Sequence, residues 1–281
     1  MRQWNSFIAG IALAASAHAN PIDFGLIELN AAIDARNIKY KPRIVTEINL
    51  DPPETFRIEP YNAGGGRIAG GDLRGLMYGL LEAAEQIRTT GHLKQTHGAP
   101  SLTPRGVKIA ADPAAAWFSS DDFWTPAMHF LALNRFNRVQ LVFERLPGKD
   151  VFPALRMISQ TGLEYGIDLS LAIKSAPENF GPLLQDILSQ CTAIRSVALA
   201  ATDGGLKATV LQVLSKTGRP VVLDDNHLWQ IDPAQVGSAE ESVRMTIDSL
   251  TTGFELSVPE SNDARPDLQG LGLWGRLAYK R

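Results

Sequence analysis

The sequence predicts an α/β protein: a small N-terminal α/β domain followed by a (β/α) barrel-like parallel sheet whose count of strands is incomplete. Three observations predict it. From Arg105 onwards, strand-length apolar runs alternate with helix-length amphipathic ones, one unit taking about 30 residues, as a βα crossover requires. The strand runs, such as Val139-Gln-Leu-Val-Phe143, are almost wholly apolar, the pattern of a parallel sheet covered on both faces. Ahead of them, residues 21–90 carry a helix, a strand, a hairpin and a long amphipathic helix, enough for a unit of their own.

Composition bounds the function. With 281 residues, 44% of them hydrophobic and 20% charged, the chain can bury one large core or two small ones. A formal charge of −3 and an isoelectric point near 6.0 leave no basic footprint, so no nucleic-acid partner is expected. A single cysteine, Cys191, excludes an internal disulfide and a thiolate metal cluster. His92 and His97 are isolated loop histidines, and neither a metal nor a cofactor is expected. Nothing in the sequence fixes the oligomeric state.

Residues 1–19 have the form of a signal peptide. Arg2 is the basic start, Phe7 to Ala15 the apolar core, and Ala17-His18-Ala19 a small-residue cleavage site before Asn20-Pro21. The apolar run is too short for a membrane span, so a periplasmic or secreted protein is expected. Residues 20–90 then form the small domain, 91–104 a linker and 105–281 the barrel-like domain.

Within the small domain, Leu26, Leu29 and Ile33 recur at helical spacing over 24–38, and 43–50 alternates as a strand. Asp51-Pro52-Pro53 forces a turn, because proline donates nothing to a ladder. Residues 55–59 and 67–69 read as the arms of a hairpin around Asn62-Ala-Gly-Gly-Gly66. That glycine run lacks the Lys-Ser/Thr of a phosphate-binding loop and joins strand to strand. The helix over 72–88 organises the unit. Leu73, Leu76, Met77, Leu80, Leu81, Ala84 and Ile87 share one face, Asp72 is placed to cap the start, and Gly91 to end it.

In the second domain, strands are predicted over 107–111, 139–143, 167–173, 196–201, 220–223 and 254–258. Helices are predicted over 123–137, 152–165, 180–191, 206–216 and 240–251. Six strand–helix units in series argue for a (β/α) barrel.

Three stretches add a resemblance. Gly70-Gly-Asp72 with Arg74-Gly-Leu-Met-Tyr-Gly-Leu-Leu-Glu82 resembles the end of the small domain that precedes the barrel in family 67 α-glucuronidases and family 20 hexosaminidases. Pro104-Arg-Gly-Val-Lys-Ile109 and Phe130-Leu-Ala-Leu-Asn-Arg-Phe-Asn137 look like the first barrel strand and helix of the same hydrolases. Leu273-Trp-Gly-Arg-Leu-Ala-Tyr279 resembles a segment of glucuronidase-like chains. The resemblance implies an exported glycoside hydrolase acting on an oligosaccharide or polysaccharide. In those proteins more sequence follows, and only six of eight strands are visible here. A truncated or degenerate barrel and a natural variant both fit that count.

Glycoside hydrolysis needs two carboxyl groups across the scissile bond, and in a barrel these belong at the C-terminal ends of strands. Asp112, Glu144, Asp203, Asp224, Asp225 and Glu260 occupy such positions. Aspartate is also the usual turn former and helix cap in these loops. Asp203, in Ala-Ala-Thr-Asp-Gly-Gly205, leads the candidates and serves equally well as an N-cap. The adjacent Asp224-Asp225 pair comes next, because neighbouring carboxylates push their pKa values apart. His227 could orient a hydroxyl or be a plain loop histidine. Trp117 and Trp229 are candidates for stacking on sugar rings, whereas Trp124 fits the core. Arg145, with Lys149 and Lys174, could meet a uronic acid carboxylate, as the resemblance to α-glucuronidases implies. Asp203-Gly204 does not reproduce the adjacent Asp-Glu pair of the family 20 enzymes. A catalytically silent carbohydrate-binding protein, and an incomplete barrel without activity, therefore stand beside the hydrolase.

Overall fold

The computed structural model describes residues 20–38, 42–62, 64–199, 204–224, 228–259 and 265–280. The expected signal peptide lies outside them. The chain opens with helix α1 (Pro21–Ala35), started by a reciprocal cap. The Asn20 side chain accepts from Ile22 N at 2.9 Å, and Asp23 accepts from Asn20 N at 3.3 Å. Strands β1 (Ile44–Ile48), β2 (Phe56–Pro60) and β3 (Gly66–Gly70) follow, then helix α2 (Leu73–Thr90). The Asp72 carboxylate caps α2 by accepting from Gly75 N at 2.6 Å, and Gly91, at φ +79°, ends it. Leu76, Met77, Leu80, Leu81, Ala84 and Ile87 are buried, against α1 on one side and the sheet on the other. Leu73, expected on the same face, is half exposed. Gly79 allows the close approach to the sheet, since a Cβ there would stand 2.7 Å from Ile68 Cγ2.

The stretch expected to be linker carries strand β4 (Thr96–Pro100). With β12 (Tyr279–Lys280), it completes a five-stranded sheet in the order β1-β3-β2-β4-β12, parallel only between β1 and β3. The chain thus comes back to the small domain at Tyr279, whose ring stacks on Phe56 at 6.0 Å and meets Tyr78 edge-on at 5.1 Å.

The second sheet is a curled, wholly parallel half-barrel, an incomplete (β/α) barrel in the order β10-β11-β5-β6-β7-β8-β9. Its strands are β5 (Arg105–Ala110), β6 (Arg138–Arg145), β7 (Asp168–Ser175), β8 (Ile194–Leu199), β9 (Val222–Asp224), β10 (Trp229–Ile231) and β11 (Phe254–Ser257). The connecting helices are α3 (Asp121–Leu133), α4 (Phe152–Glu164), α5 (Phe180–Gln190), α6 (Gly204–Ser215), α7 (Pro233–Val236) and α8 (Glu240–Ser249). Helix α9 (Gly272–Leu277) leads into β12. Val107, Ile109, Val139, Leu141, Phe143, Leu169, Leu171, Ile173, Val197, Phe254 and Leu256 are buried on the convex, helix-covered side. The two outer strands, β9 and β10, are separated by only residues 225–228. Five Cα steps span at most about 18 Å, so Asp224 and Trp229 are held within that distance.

A buried polar seam joins the two sheets. Glu54, at φ +63°, accepts at Oε1 from Arg74 Nη1 (2.8 Å) and Asn137 Nδ2 (2.7 Å), and at Oε2 from Arg105 Nη2 (2.5 Å). Arg105, fully buried at the first position of β5, also donates to the carbonyls of Arg135 (2.7 Å) and Leu102 (2.8 Å). Arg74 reaches on to Asp168 at 2.9 Å, and the Tyr279 hydroxyl donates to the Glu54 carbonyl. Burial alone would push the Glu54 carboxyl up, but the guanidiniums of Arg105 and Arg74 outweigh it and hold it at about 2.

Candidate functional site

The concave side of this sheet differs from the convex side in the residues it carries. Strand alternation puts Val139 and Leu141 among the helices and Arg138, Gln140, Val142 and Glu144 on the opposite face. Register then defines that face in layers. Arg138 lies beside Gly106 near the base; Lys108, Gln140, Ser170, Ser196, Val222 and Ser257 form the next layer. Ala110, Val142, Ala172, Ala198 and Asp224 lie above. Filled barrels pack such layers with bulky branched side chains. Here the middle layer is mostly polar and the upper one mostly small, with Ala110 exposed and Val142 and Ala172 part-exposed. The upper layer is partly open to water at the C-terminal end, while Gln140, Ser170, Ser196 and Glu255 below it are buried.

Arg138 organises the base of this face. Its Nη2 donates to Ser170 Oγ at 3.0 Å and pairs with the Asp224 carboxylate, while its Nε lies 2.8 Å from Glu255 Oε1. The last contact is an ion pair with poor aim, since neither atom completes a hydrogen bond. Glu255 Oε2 accepts from Gln230 Nε2 at 3.0 Å, and Gln230 Oε1 meets Lys108 Nζ at 3.4 Å. Ser196 Oγ donates to Ser170 Oγ at 2.9 Å. Burial pushes the Glu255 carboxyl up; Arg138 and the Gln230 hydrogen bond oppose this, and the nearby Asp224 charge adds to it. One guanidinium therefore links β6 to β9, one end of the sheet, and to β11, next to the other end.

The sequence candidates fall in different places. Asp224 lies on the concave face, tied to Arg138. Glu144 is aligned with Lys174 at the mouth, where the two form an exposed ion pair. Arg145 is exposed on the other parity of the same strand. Asp112 accepts from Ala114 N at 2.9 Å, an ordinary loop turn. Trp229 is registered with Phe254, so it faces away from the concave side, opposite to Gln230. Trp117 is 8% exposed and packs edge-on to Phe118 and Phe123. It lines a cleft of about 540 Å³ with Ala115, Ala116, Ser120, Asp122, Phe123 and Arg265. Asp203, Asp225, His227 and Glu260 lie outside the described residues. Lys149 pairs with Asp186 at 2.7 Å, well exposed.

Lys108, Arg138, Gln140, Ser170, Ser196, Gln230 and Glu255 escaped sequence reasoning. The signal was present as parity, in Arg138-x-Gln140, Asp168-x-Ser170 and the single charges of Val107-Lys-Ile109 and Phe254-Glu-Leu256. Among the described residues no cluster of three His, Cys, Asp or Glu side chains could hold a metal ion, and no helix is long and apolar enough to cross a membrane.

An open parallel half-barrel with an accessible concave side, preceded by a small mixed sheet, is a glycoside-hydrolase-like fold. No protein-family model and no curated protein matches the sequence. Solved structures do match the fold. One is a family 138 glycoside hydrolase targeting pectin rhamnogalacturonan II, at 12% identity and TM-score 0.64, over 92% of this chain and 49% of that one. A second is a family 115 4-O-methyl-α-glucuronidase with specificity for decorated arabinogalactans, at 13% identity and TM-score 0.56, over 94% and 56%. A family 84 structure matches at 10% identity and TM-score 0.51, over 91% and 53%. The chain spans about half the length of these structures.

Proposed function

We propose that this protein is an exported carbohydrate-active protein, a glycoside hydrolase of α-glucuronidase-like type, acting on an oligosaccharide or polysaccharide at the mouth of the half-barrel. The observation that carries the reading is the open concave face, with polar side chains below and carboxylates on its described rim. Asp224 is the described residue best placed to take part in chemistry, because Arg138 fixes its carboxylate on that face. Asp203 or Asp225 would supply the second carboxyl group that hydrolysis needs, about 5–5.5 Å away for retention or about 6.5–9.5 Å for inversion.

The test is turnover of uronic-acid-decorated and N-acetylhexosamine oligosaccharides by the mature protein, beside Asp203→Asn and Asp224→Asn. Loss of turnover with sugar binding retained in both variants supports the hydrolase. Full turnover in both rejects this assignment of carboxylates. Mass spectrometry of the exported protein should find Asn20 at its start; retention of Arg2 would reject processing.

A second reading has its own observation. Glu144 is engaged by Lys174 and Asp224 by Arg138, as befits a surface that binds without cleaving. Sugar binding by the wild type with no turnover would select this catalytically silent binder.

A further inference from the structure

The small domain holds a cavity of its own, at the far end of α2 from the half-barrel. The first turn of α2 meets the seam through Arg74, and an 18-residue helix is about 27 Å long. The cavity, about 490 Å³, lies among the end of α2, the turn between β2 and β3, and the chain entering β1. That is the size range of small-molecule sites. Ile87 and Leu93 are its buried part; Ile38, Pro42, Pro60 and Tyr61 are its more accessible walls. The glycine run of the hairpin turn closes one side. Gly65 is at φ +82°, and a Cβ there would stand 2.2 Å from the Arg43 carbonyl oxygen. A Cβ on Gly66 would stand 3.0 Å from Leu93 Cδ1. Larger residues would push the turn off its neighbours, so the run has a packing reason where it lines the cavity.

Arg43 is the cation on this cavity. It is exposed and makes no side-chain hydrogen bond or ion pair among the described residues. The carboxylates of the adjoining strands, Glu47 of β1 and Glu59 of β2, both lie on Arg67, at 3.4 and 2.6 Å. The terminal carbonyls of α2 are taken as well. That of Ile87 accepts from Gly91 N, those of Arg88 and Thr89 from Arg36, and that of Thr90 from His92 Nδ1. Arg36 also sets a positive charge on the negative end of the α2 dipole. The sequence leading in, Lys39-Tyr-Lys-Pro-Arg43, holds three cations and no carboxylate.

We propose that this cavity binds a small aromatic carboxylic acid, its carboxylate on Arg43 and its ring against Tyr61, Pro42 and Pro60. A guanidinium meets a carboxylate with two parallel N–H···O bonds, which fixes the ligand's orientation. Flat apolar walls take the ring and release the water over both. A small inorganic anion would leave those walls wet, and a neutral aromatic would leave Arg43 without a counter-ion. A sugar would set its hydroxyls against walls whose polar side chains, the Tyr61 phenol apart, are Arg43 and His92 alone. The inference is independent of the carbohydrate reading and of any chemistry at the half-barrel.

The experiment titrates the full chain with phenylacetate, with its neutral isostere phenylacetamide, and with acetate, which keeps the charge and lacks the ring. Binding is followed by the backbone amide resonances of Gly64, Gly65, Gly91 and Leu93. Phenylacetate should shift these saturably and bind at least about tenfold more tightly than either of the other two. Arg43→Gln should bring phenylacetate down to the level of phenylacetamide, and Arg43→Lys should keep part of the difference. Tyr61→Ala, an independent variant at another exposed position, should weaken both aromatic probes and leave their ratio within about threefold. Saturable shifts confined to residues away from the cavity overturn the inference, as does the absence of saturable binding by phenylacetate. Equal binding of phenylacetate and phenylacetamide overturns it, and so does equal binding of phenylacetate and acetate. An Arg43→Gln protein that keeps the preference for the acid overturns it too.

Discussion

The seam below the barrel and the concave face above it are built from the same side-chain types, arginine against carboxylate with amides and hydroxyls around them. They differ in how completely the groups are satisfied. In the seam, Glu54 uses both oxygens and Arg105 donates through Nε, Nη1 and Nη2. On the concave face, Glu255 Oε1 and Arg138 Nε complete no hydrogen bond. The electrostatics follow. Glu54 is held ionised, whereas burial works against the Glu255 charge. A saturated buried network holds two parts of a fold in register. An undersatisfied one lowers stability and is where a guest can be accommodated.

The largest effect that can break this comparison is loss of the seam's central cation. Arg105→Met leaves the buried Glu54 with Arg74 and Asn137 on Oε1 and takes the guanidinium from Oε2, and should cost about 3–5 kcal/mol in denaturant unfolding. A cost near zero would mean that the small domain is held by its apolar contacts alone. Acid titration comes next. Because the folded pKa of Glu54 is depressed, its contribution is fully present above the unfolded value near 4.5. It is lost as pH falls towards about 2, a loss of about 3 kcal/mol. Glu54→Gln should abolish that slope; an equally steep acid limb in the variant would reject the assignment.

Glu255 should show the opposite sign. Its raised folded pKa stabilises the fold at low pH, and the contribution is lost as pH rises through that value. Glu255→Gln should therefore raise the unfolding midpoint at pH 8 relative to the wild type and lose that advantage at pH 4. A variant less stable at pH 8 would place Glu255 with the seam and not against it. The smallest effect belongs to the mouth: Glu144→Gln removes an exposed ion pair and should leave the midpoint unchanged. A measurable drop would mean that this pair braces the rim.

Much of this architecture is legible in the sequence, where local pattern and burial coincide. The six barrel strands and the α2 face follow from apolar periodicity, and the Asp72 and Gly91 caps from residue type. Strand β4, Thr-His-Gly-Ala-Pro, carries no such period and becomes a strand because β2 and β12 lie beside it. Strands β10 and β12 are too short to show any pattern and depend on partners distant in the chain. Loop carboxylates are a compositional cue that points to the rim and not to Arg138, although the neighbours of Arg138 alternate. Which parity faces water depends on tertiary closure, which single-strand patterns do not contain. Trp117 and Trp229 show the same limit: an aromatic near a loop has no direction until the strand beside it has a register.

The nearness of β9 and β10 along the chain has a mechanical consequence. Every other neighbouring pair in the half-barrel is joined by a ladder of backbone hydrogen bonds, so parting them would break several bonds together. Among the described residues no strand pairing joins β9 to β10, and Arg138 reaches from β6 to Asp224 and Glu255. The half-barrel is thus a split collar, laddered without a break from β10 round to β9 and, among the described residues, not across its opening. Chain length alone bounds the width of that opening, and one arginine reaches from the middle of the collar to β9 and to β11.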